Sequence, residues 1–345
     1  MKQYIFSLFC LVISATLLSG CSGSEKTARI VHETETRYMS STGSDFMRDE
    51  IKKGMESVKR LHNSVSYRTY QFDLDNLPTQ QELINTDFDS RAVQTTVDHH
   101  SKAGSALILS NRRGRTALLT ASHIVTFPDT IWHFAEERGF VQEKVEAVSV
   151  RQSVSRVLIG SDDVFGFEMV VNDPDRDLAV LSRNWKPNER PRLTTLRLPT
   201  GNSDALDWTD RIYALGYPLG IEMVTSAMIS KSGQTGRRGM VLDASFNRGF
   251  SGGSLFAVRG DGSAMEWVGI ISSASGETVD YLVPDQLRDE NFRPNLEYTG
   301  AIYTQRNQQI NYGITFAVSV DQIKDFYSEN RDELRRLGIT IRALE

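Results

Sequence analysis

Asn247-Arg248-Gly249-Phe250-Ser251-Gly252-Gly253-Ser254-Leu255 sets one serine among three glycines, immediately before the apolar run Ser254 to Val258. The glycines read as a tight turn and the apolar run as a strand, so the Ser251 hydroxyl is presented beside free backbone N–H groups. A serine hydroxyl attacks poorly unless a base takes its proton and donors hold the oxyanion that forms. Two other stretches offer the missing parts. In Leu118-Leu119-Thr120-Ala121-Ser122-His123-Ile124-Val125, His123 follows an apolar run, and its near-neutral pKa suits reversible proton transfer. In Asp173-Pro174-Asp175-Arg176-Asp177-Leu178-Ala179-Val180-Leu181, Asp177 directly precedes an apolar strand that would bury it. A buried carboxylate there fixes the imidazole tautomer and stabilises the imidazolium. Asp173 and Asp175 fall instead in the turn around Pro174.

Gly249-Phe250-Ser251-Gly252-Gly253 also satisfies the Gly-x-Ser-x-Gly turn of α/β-hydrolases, which place their histidine after the serine. All six histidines of this chain (His32, His62, His99, His100, His123, His133) precede Ser251, which removes that rival. The order His, Asp, Ser is that of chymotrypsin-type triads.

These motifs resemble the trypsin-like serine peptidases and, within them, the HtrA/Deg branch. Gly216-Tyr217-Pro218-Leu219-Gly220, Val224-Thr225-Ser226-Ala227-Met228-Ile229-Ser230 and Gly313-Ile314-Thr315-Phe316-Ala317-Val318 are similar to further segments of that branch, in the same order. The resemblance covers roughly residues 92–337. It implies a mainly β, chymotrypsin-like double six-stranded β-barrel in which Ser251 attacks, His123 moves the proton and Asp177 orients His123. It further implies an oxyanion hole from the N–H groups of Gly249 and Ser251. The substrate pocket would be lined by Ser245, Ser272, Ser273, Ala274 and Gly313. Protein or peptide substrates are implied, with no metal or organic cofactor.

The chain departs from its relatives at informative places. Phe250 stands where digestive members carry the aspartate that pairs with a newly cut N-terminus, so activation of that kind is not expected. Ser245 stands where trypsin places a pocket aspartate, and Ile270-Ile271-Ser272 lacks the histidine of glutamate-cleaving relatives, so an uncharged pocket is expected. No PDZ-like segment follows the protease region before Glu345. In its place, the 35 residues from 276 to 310 separate two strands that relatives join by a short loop. A second reading, a binding or chaperone-like module with a collapsed oxyanion loop, has the same side chains.

Lys2, the apolar run Tyr4 to Leu18, and Leu18-Ser19-Gly20-Cys21 read as an export signal ending in a lipobox-like sequence. Acylation would fall on Cys21. Cys10 would leave with the signal, so the mature chain would hold no disulfide. Ser22 after the cysteine points to the outer membrane of a bacterial envelope, facing the periplasm. The net charge of −5 and the absence of basic blocks argue against nucleic acid as a partner.

The expected organisation is therefore a signal at 1–20, a tether and helical extension at 21–91, and a protease domain at 92–345. Ile51, Met55, Val58 and Leu61 at helical spacing predict a helix over 45–62. Short β-type runs with Gly, Asn and Asp turns fill the region after residue 92, and 320–337 reads as a terminal helix. Arg259-Gly260-Asp261, followed by Gly262, reads as a hairpin turn. His99-His100 reads as exposed.

Overall fold

The computed structural model describes residues 45–345 apart from 138–139, 161–162, 232–238, 245, 247, 285–294 and 296–301. Helix α1 (Asp45–Ser57) opens this region and passes directly into strand β1 (Val58–Gln71). The helix ends five residues before the expected boundary because the burial period changes. From Leu61 to Thr69 the buried side chains are Leu61, Asn63, Val65, Tyr67 and Thr69, every second residue rather than every third or fourth. The three-residue spacing of Val58 and Leu61 fits the helical period alone; in the strand the two side chains take opposite faces, Val58 in the core between the lobes and Leu61 in that of the open sheet, and pairing on both sides of the chain selects the strand.

Eight strands form the first sheet: β1, β2 (Gln94–Arg112), β3 (Arg115–Thr120), β4 (Thr130–Glu137), β5 (Phe140–Ile159), β6 (Val164–Gly166), β7 (Glu168–Asp173) and β8 (Leu178–Asn184). Their order is β4-β5-β1-β2-β3-β8-β7, with β6 also on β5. Residues 58–71, assigned from sequence to an extension, thus lie centrally between β2 and β5. The second sheet is a closed barrel of six strands, β9 (Arg211–Gly216), β10 (Met223–Lys231), β11 (Met240–Asp243), β12 (Ser254–Val258), β13 (Met265–Pro284) and β14 (Ile302–Ser319), in the order β10-β11-β14-β13-β12-β9. This is a mainly β, chymotrypsin-like double barrel in which one lobe is closed and the other is an open, curled sheet.

Two expected features take another form. The 276–310 segment is no simple loop, because β13 and β14 run on past the barrel as paired arms, from Gly276↔Ile310 to Pro284↔Ile302. The terminal helix is two helices, α2 (Val320–Glu329) and α3 (Arg331–Arg336), broken at Asn330. Ser319 caps the first, its hydroxyl accepting from the Gln322 N–H while the Gln322 side chain returns to the Ser319 N–H. The Arg259-Gly260-Asp261 tripeptide does sit in the β12–β13 turn, where the Gly262 N–H donates to the Arg259 carbonyl at 2.8 Å.

The largest core lies between the lobes. Leu107 and Leu119 of the open sheet, Leu215, Phe256 and Trp267 of the barrel, and Phe326 of α2 are all buried in one cluster that also takes Met47 and Met55 of α1. A Cβ at Gly54 would lie 3.1 Å from Leu215 and 3.4 Å from Phe256, so α1 seats directly on the barrel wall. The helix is part of the fold. Met55→Ala is accordingly expected to lower unfolding free energy by about 2–5 kcal/mol, measured by denaturant titration.

Candidate active site

His123 and Asp177 come from the open sheet and Ser251 from the closed barrel. His123 sits in a single helical turn, Ser122–Val125, that follows β3 directly. Asp177 is the last residue before β8 and has φ +59°, a left-handed conformation uncommon for aspartate. Ser251 lies in the turn leading into β12. The side chains meet. His123 Nε2 lies 3.0 Å from Ser251 Oγ, and His123 Nδ1 lies 3.0 and 2.9 Å from the two Asp177 oxygens. With Nδ1–H donating to the carboxylate, Nε2 is left free to accept the serine proton. The His123 N–H also donates to Asp177 Oδ1 at 2.9 Å.

Ser272, expected in the pocket wall, turns its hydroxyl onto Asp177 Oδ2 at 2.5 Å. Burial alone would push the Asp177 carboxyl up, but bonds from His123 and Ser272 outweigh it and hold the group below the ordinary carboxylate value. A depressed folded pKa means this support is present above the unfolded carboxyl's pKa and fades as pH falls through the lower folded value. The Asp177 turn is fixed from the C-terminal side as well. Arg176 donates to Asp173 at 2.8 Å and to both Glu329 oxygens of α2 at 2.7 and 2.6 Å.

The serine turn is held by the other lobe. Ser105 of β2 is fully buried, and its hydroxyl donates to the Gly249 carbonyl at 2.9 Å while accepting from the Tyr217 N–H at 2.8 Å. The Ser105 N–H donates to the Ser251 carbonyl at 2.8 Å, and the Ser105 carbonyl accepts from Thr120 Oγ1 at 2.7 Å. Gly249 has φ +104°, and a Cβ there would lie 2.6 Å from the Tyr217 carbonyl, so only glycine fits.

The Arg248 carbonyl accepts from the Leu219 N–H at 3.1 Å. A trans peptide points its N–H opposite its carbonyl, so the Gly249 N–H faces away from the 217–219 loop. Among the described residues neither that N–H nor the Ser251 N–H has an acceptor. Leu219 reaches this position with φ 51°, a left-handed non-glycine conformation. Phe250 is buried and packs on Phe246 with ring centroids 4.8 Å apart.

Of the other expected pocket residues, Ser245 lies outside the described residues, as do the side chains of Ser273 and Ala274. The backbones of these two follow Ser272 on β13, with Ala274 paired to Thr315 of β14. Gly313 lies in the irregular stretch of β14 just before that pair, with φ +93°. Sequence reasoning missed Ser105 and Lys102. Lys102 Nζ donates to the carbonyls of His123 and Thr126 at 2.7 and 2.9 Å and so satisfies the end of the histidine turn. Neither carries a local signature, since each acts through backbone groups distant in sequence.

Residues 104–270 match the family model of the trypsin-like peptidase domain, a span that contains His123, Asp177 and Ser251. No curated protein sequence matches the chain. Among solved structures, the crystal structure of Rv3671c from M. tuberculosis H37Rv, a serine-to-alanine mutant in an inactive form, is 13% identical with a TM-score of 0.39, covering 83% of this chain and 93% of that one. That likeness is too distant to carry a residue's role.

Ser105→Ala leaves the Tyr217 N–H and the Gly249 carbonyl without the partner that joins them. The variant is expected to lose about 1–3 kcal/mol of stability. Its kcat on a peptide substrate is expected to fall toward the about 10²-fold loss that follows removal of an oxyanion donor, with KM little changed.

Proposed function

We propose that the chain is a serine endopeptidase that cleaves protein or peptide substrates through an acyl-enzyme. The observation that carries this reading is the unbroken row from Ser272 and Asp177 through His123 to Ser251, joined in the serine turn by the Gly249 and Ser251 N–H groups, which have no acceptor among the described residues. His123 Nε2 takes the Ser251 proton as Oγ attacks the scissile carbonyl. The N–H groups of Gly249 and Ser251 receive the oxyanion. The imidazolium returns its proton to the leaving amine, and water, activated by the same imidazole, releases the acyl group. The Arg248 carbonyl is held by Leu219 rather than turned toward the serine, which favours this reading over a resting-inactive binding module.

Ser251→Ala should abolish cleavage of a casein substrate while keeping the wild-type melting temperature, and a fluorophosphonate probe should label the wild type alone. Wild-type proteolysis by the variant would sink the assignment, and a folded wild type that neither cleaves nor labels would favour the binding module. The sequence at Ser245 supports an uncharged P1 preference, and cleavage sites led by Arg or Lys would overturn it.

Lipid anchorage through Cys21, facing the periplasm and with the outer membrane favoured, is part of the same proposal and rests on the Leu18-Ser19-Gly20-Cys21 sequence. Cys21→Ser is expected to abolish radiolabelled palmitate incorporation and move the protein from the membrane to the soluble fraction. An unacylated Cys21 in mature wild-type protein, found by mass spectrometry, would refute the anchor.

A further inference from the structure

Strand β2 is 19 residues long, yet β3 covers it only from Leu107 to Arg112. On that side, residues 94–103 have no strand partner among the described residues, and all of them except Thr96 are exposed. On the other side β1 pairs with β2 from Val58↔Leu107 to Gln71↔Gln94 without a register shift. Long edges are normally blunted by proline, bulges or closely spaced charges. Gln94-Thr95-Thr96-Val97-Asp98-His99-His100-Ser101-Lys102-Ala103 has no proline, no bulge against β1 and only two formal charges.

The direction in which this edge points follows from one bond. The Ser105 N–H leaves the sheet toward the Ser251 carbonyl, so it faces away from β1. In an unshifted antiparallel pair, alternate residues turn both backbone groups to the same side. Ala103, Ser101, His99, Val97 and Thr95 therefore present their N–H and C=O outward. The row begins two residues before the one that grips the nucleophile, and beside Lys102, which grips the histidine turn. At about 3.4 Å per residue it extends roughly 27 Å from Ala103 to Thr95.

We propose that this edge docks the part of a polypeptide substrate lying C-terminal to the scissile bond, as an added antiparallel strand over residues 95–103. The inference rests on the endopeptidase reading and deepens it. β2 runs toward Ser251 whereas the leaving side of a substrate runs away from it, which fixes the antiparallel sense. Backbone pairing recognises an extended chain rather than a particular sequence, so the substrate class is an unfolded or strand-forming segment reaching about ten residues past the cut. Side chains of the docked strand on one face would meet a cavity of about 490 Å³ lined by Asp98, His99, His100, His133, Thr69 and Ser149, among others. There His133 Nε2, Ser149 Oγ, Thr69 Oγ1 and Asp98 Oδ2 form a continuous polar row across four strands.

The test uses peptides built on one cleavage site mapped in β-casein, with two, six or ten residues after the scissile bond, and a short substrate with a fluorogenic leaving group. The wild type should cleave the ten-residue form with kcat/KM about tenfold or more above the two-residue form, since each added backbone hydrogen bond contributes severalfold. N-methylation should erase the gain at alternate positions only, because every second N–H faces β2. His99→Pro removes an outward N–H that β1 does not use, a change edge strands tolerate. It should bring the long-to-short ratio near one, and if that variant fails to fold, the N-methyl series decides alone. Cleavage of the short substrate with a flat length dependence would overturn this proposal while leaving the endopeptidase reading intact. No cleavage of any substrate and no fluorophosphonate labelling would overturn both. A concentration-dependent dimer that His99→Pro dissolves would assign the edge to a second copy of the chain and overturn it as well.

Discussion

The site depends on one buried hydroxyl. Ser105 belongs to the open sheet, but its side chain and its N–H hold the Gly249 and Ser251 carbonyls of the closed barrel. His123 and Asp177 come from the same sheet as Ser105, so the serine turn is set relative to its base by hydrogen bonds across the lobe boundary. Short, fully buried bonds of this kind tolerate little displacement, because any movement leaves polar groups unpaired where water cannot reach. The large apolar core between the lobes and helix α1 keep that boundary closed, and Thr120, just before the histidine turn, ties the Ser105 carbonyl back to β3.

Around this anchor, the serine turn is stabilised by packing rather than by an ion pair. Phe250 is 2% exposed and stacks on Phe246 within the barrel core. The position that carries a charge in digestive trypsin-like enzymes is here an apolar plug. The conformational cost appears elsewhere. Leu219 occupies left-handed space so that its N–H can take the Arg248 carbonyl. That bond orients the neighbouring peptide, so the strained Leu219 backbone sets the direction of the Gly249 N–H, away from the 217–219 loop.

Much of this was legible in the sequence, and the exceptions share a cause. The triad candidates were legible because each residue sits next to a strand that its own neighbours announce: Leu118 to Thr120, Leu178 to Leu181 and Ser254 to Val258. β12 coincides with its expected span, whereas only the first five residues of β1, 58–62, fall within the expected helix. Its inward row includes Asn63 and Thr69, polar residues that break an apolar alternation although both are buried. The arms of β13 and β14 beyond the barrel escaped for a related reason. Among the described residues they pair only with each other there, a partnership that follows from backbone register rather than from a local sequence pattern. Val145 to Val150 and Arg156 to Ile159 read as two strands, but β5 continues through the polar Arg151-Gln152-Ser153 with a bulge at Gln152, because β1 pairs with it on both sides of that bulge. Ser105 and Lys102 were illegible in principle, since their partners are backbone carbonyls and N–H groups that any residue could supply.

The two lobes divide the work by topology. A closed barrel has no edge and offers a ligand only its strand ends and loops, and this is the lobe that carries Ser251. The open sheet keeps free edges, and a free edge is either a liability or a binding surface. β2 has both a covered end and an uncovered one. Its covered end is wedged among Ser251, Thr120 and Tyr217, while its uncovered end continues the same line outward from the serine. A strand that is hydrogen-bonded where it meets the Ser251 turn and unpaired on that side where it leaves the site ties the geometry of one end to the other through one unbroken register with β1.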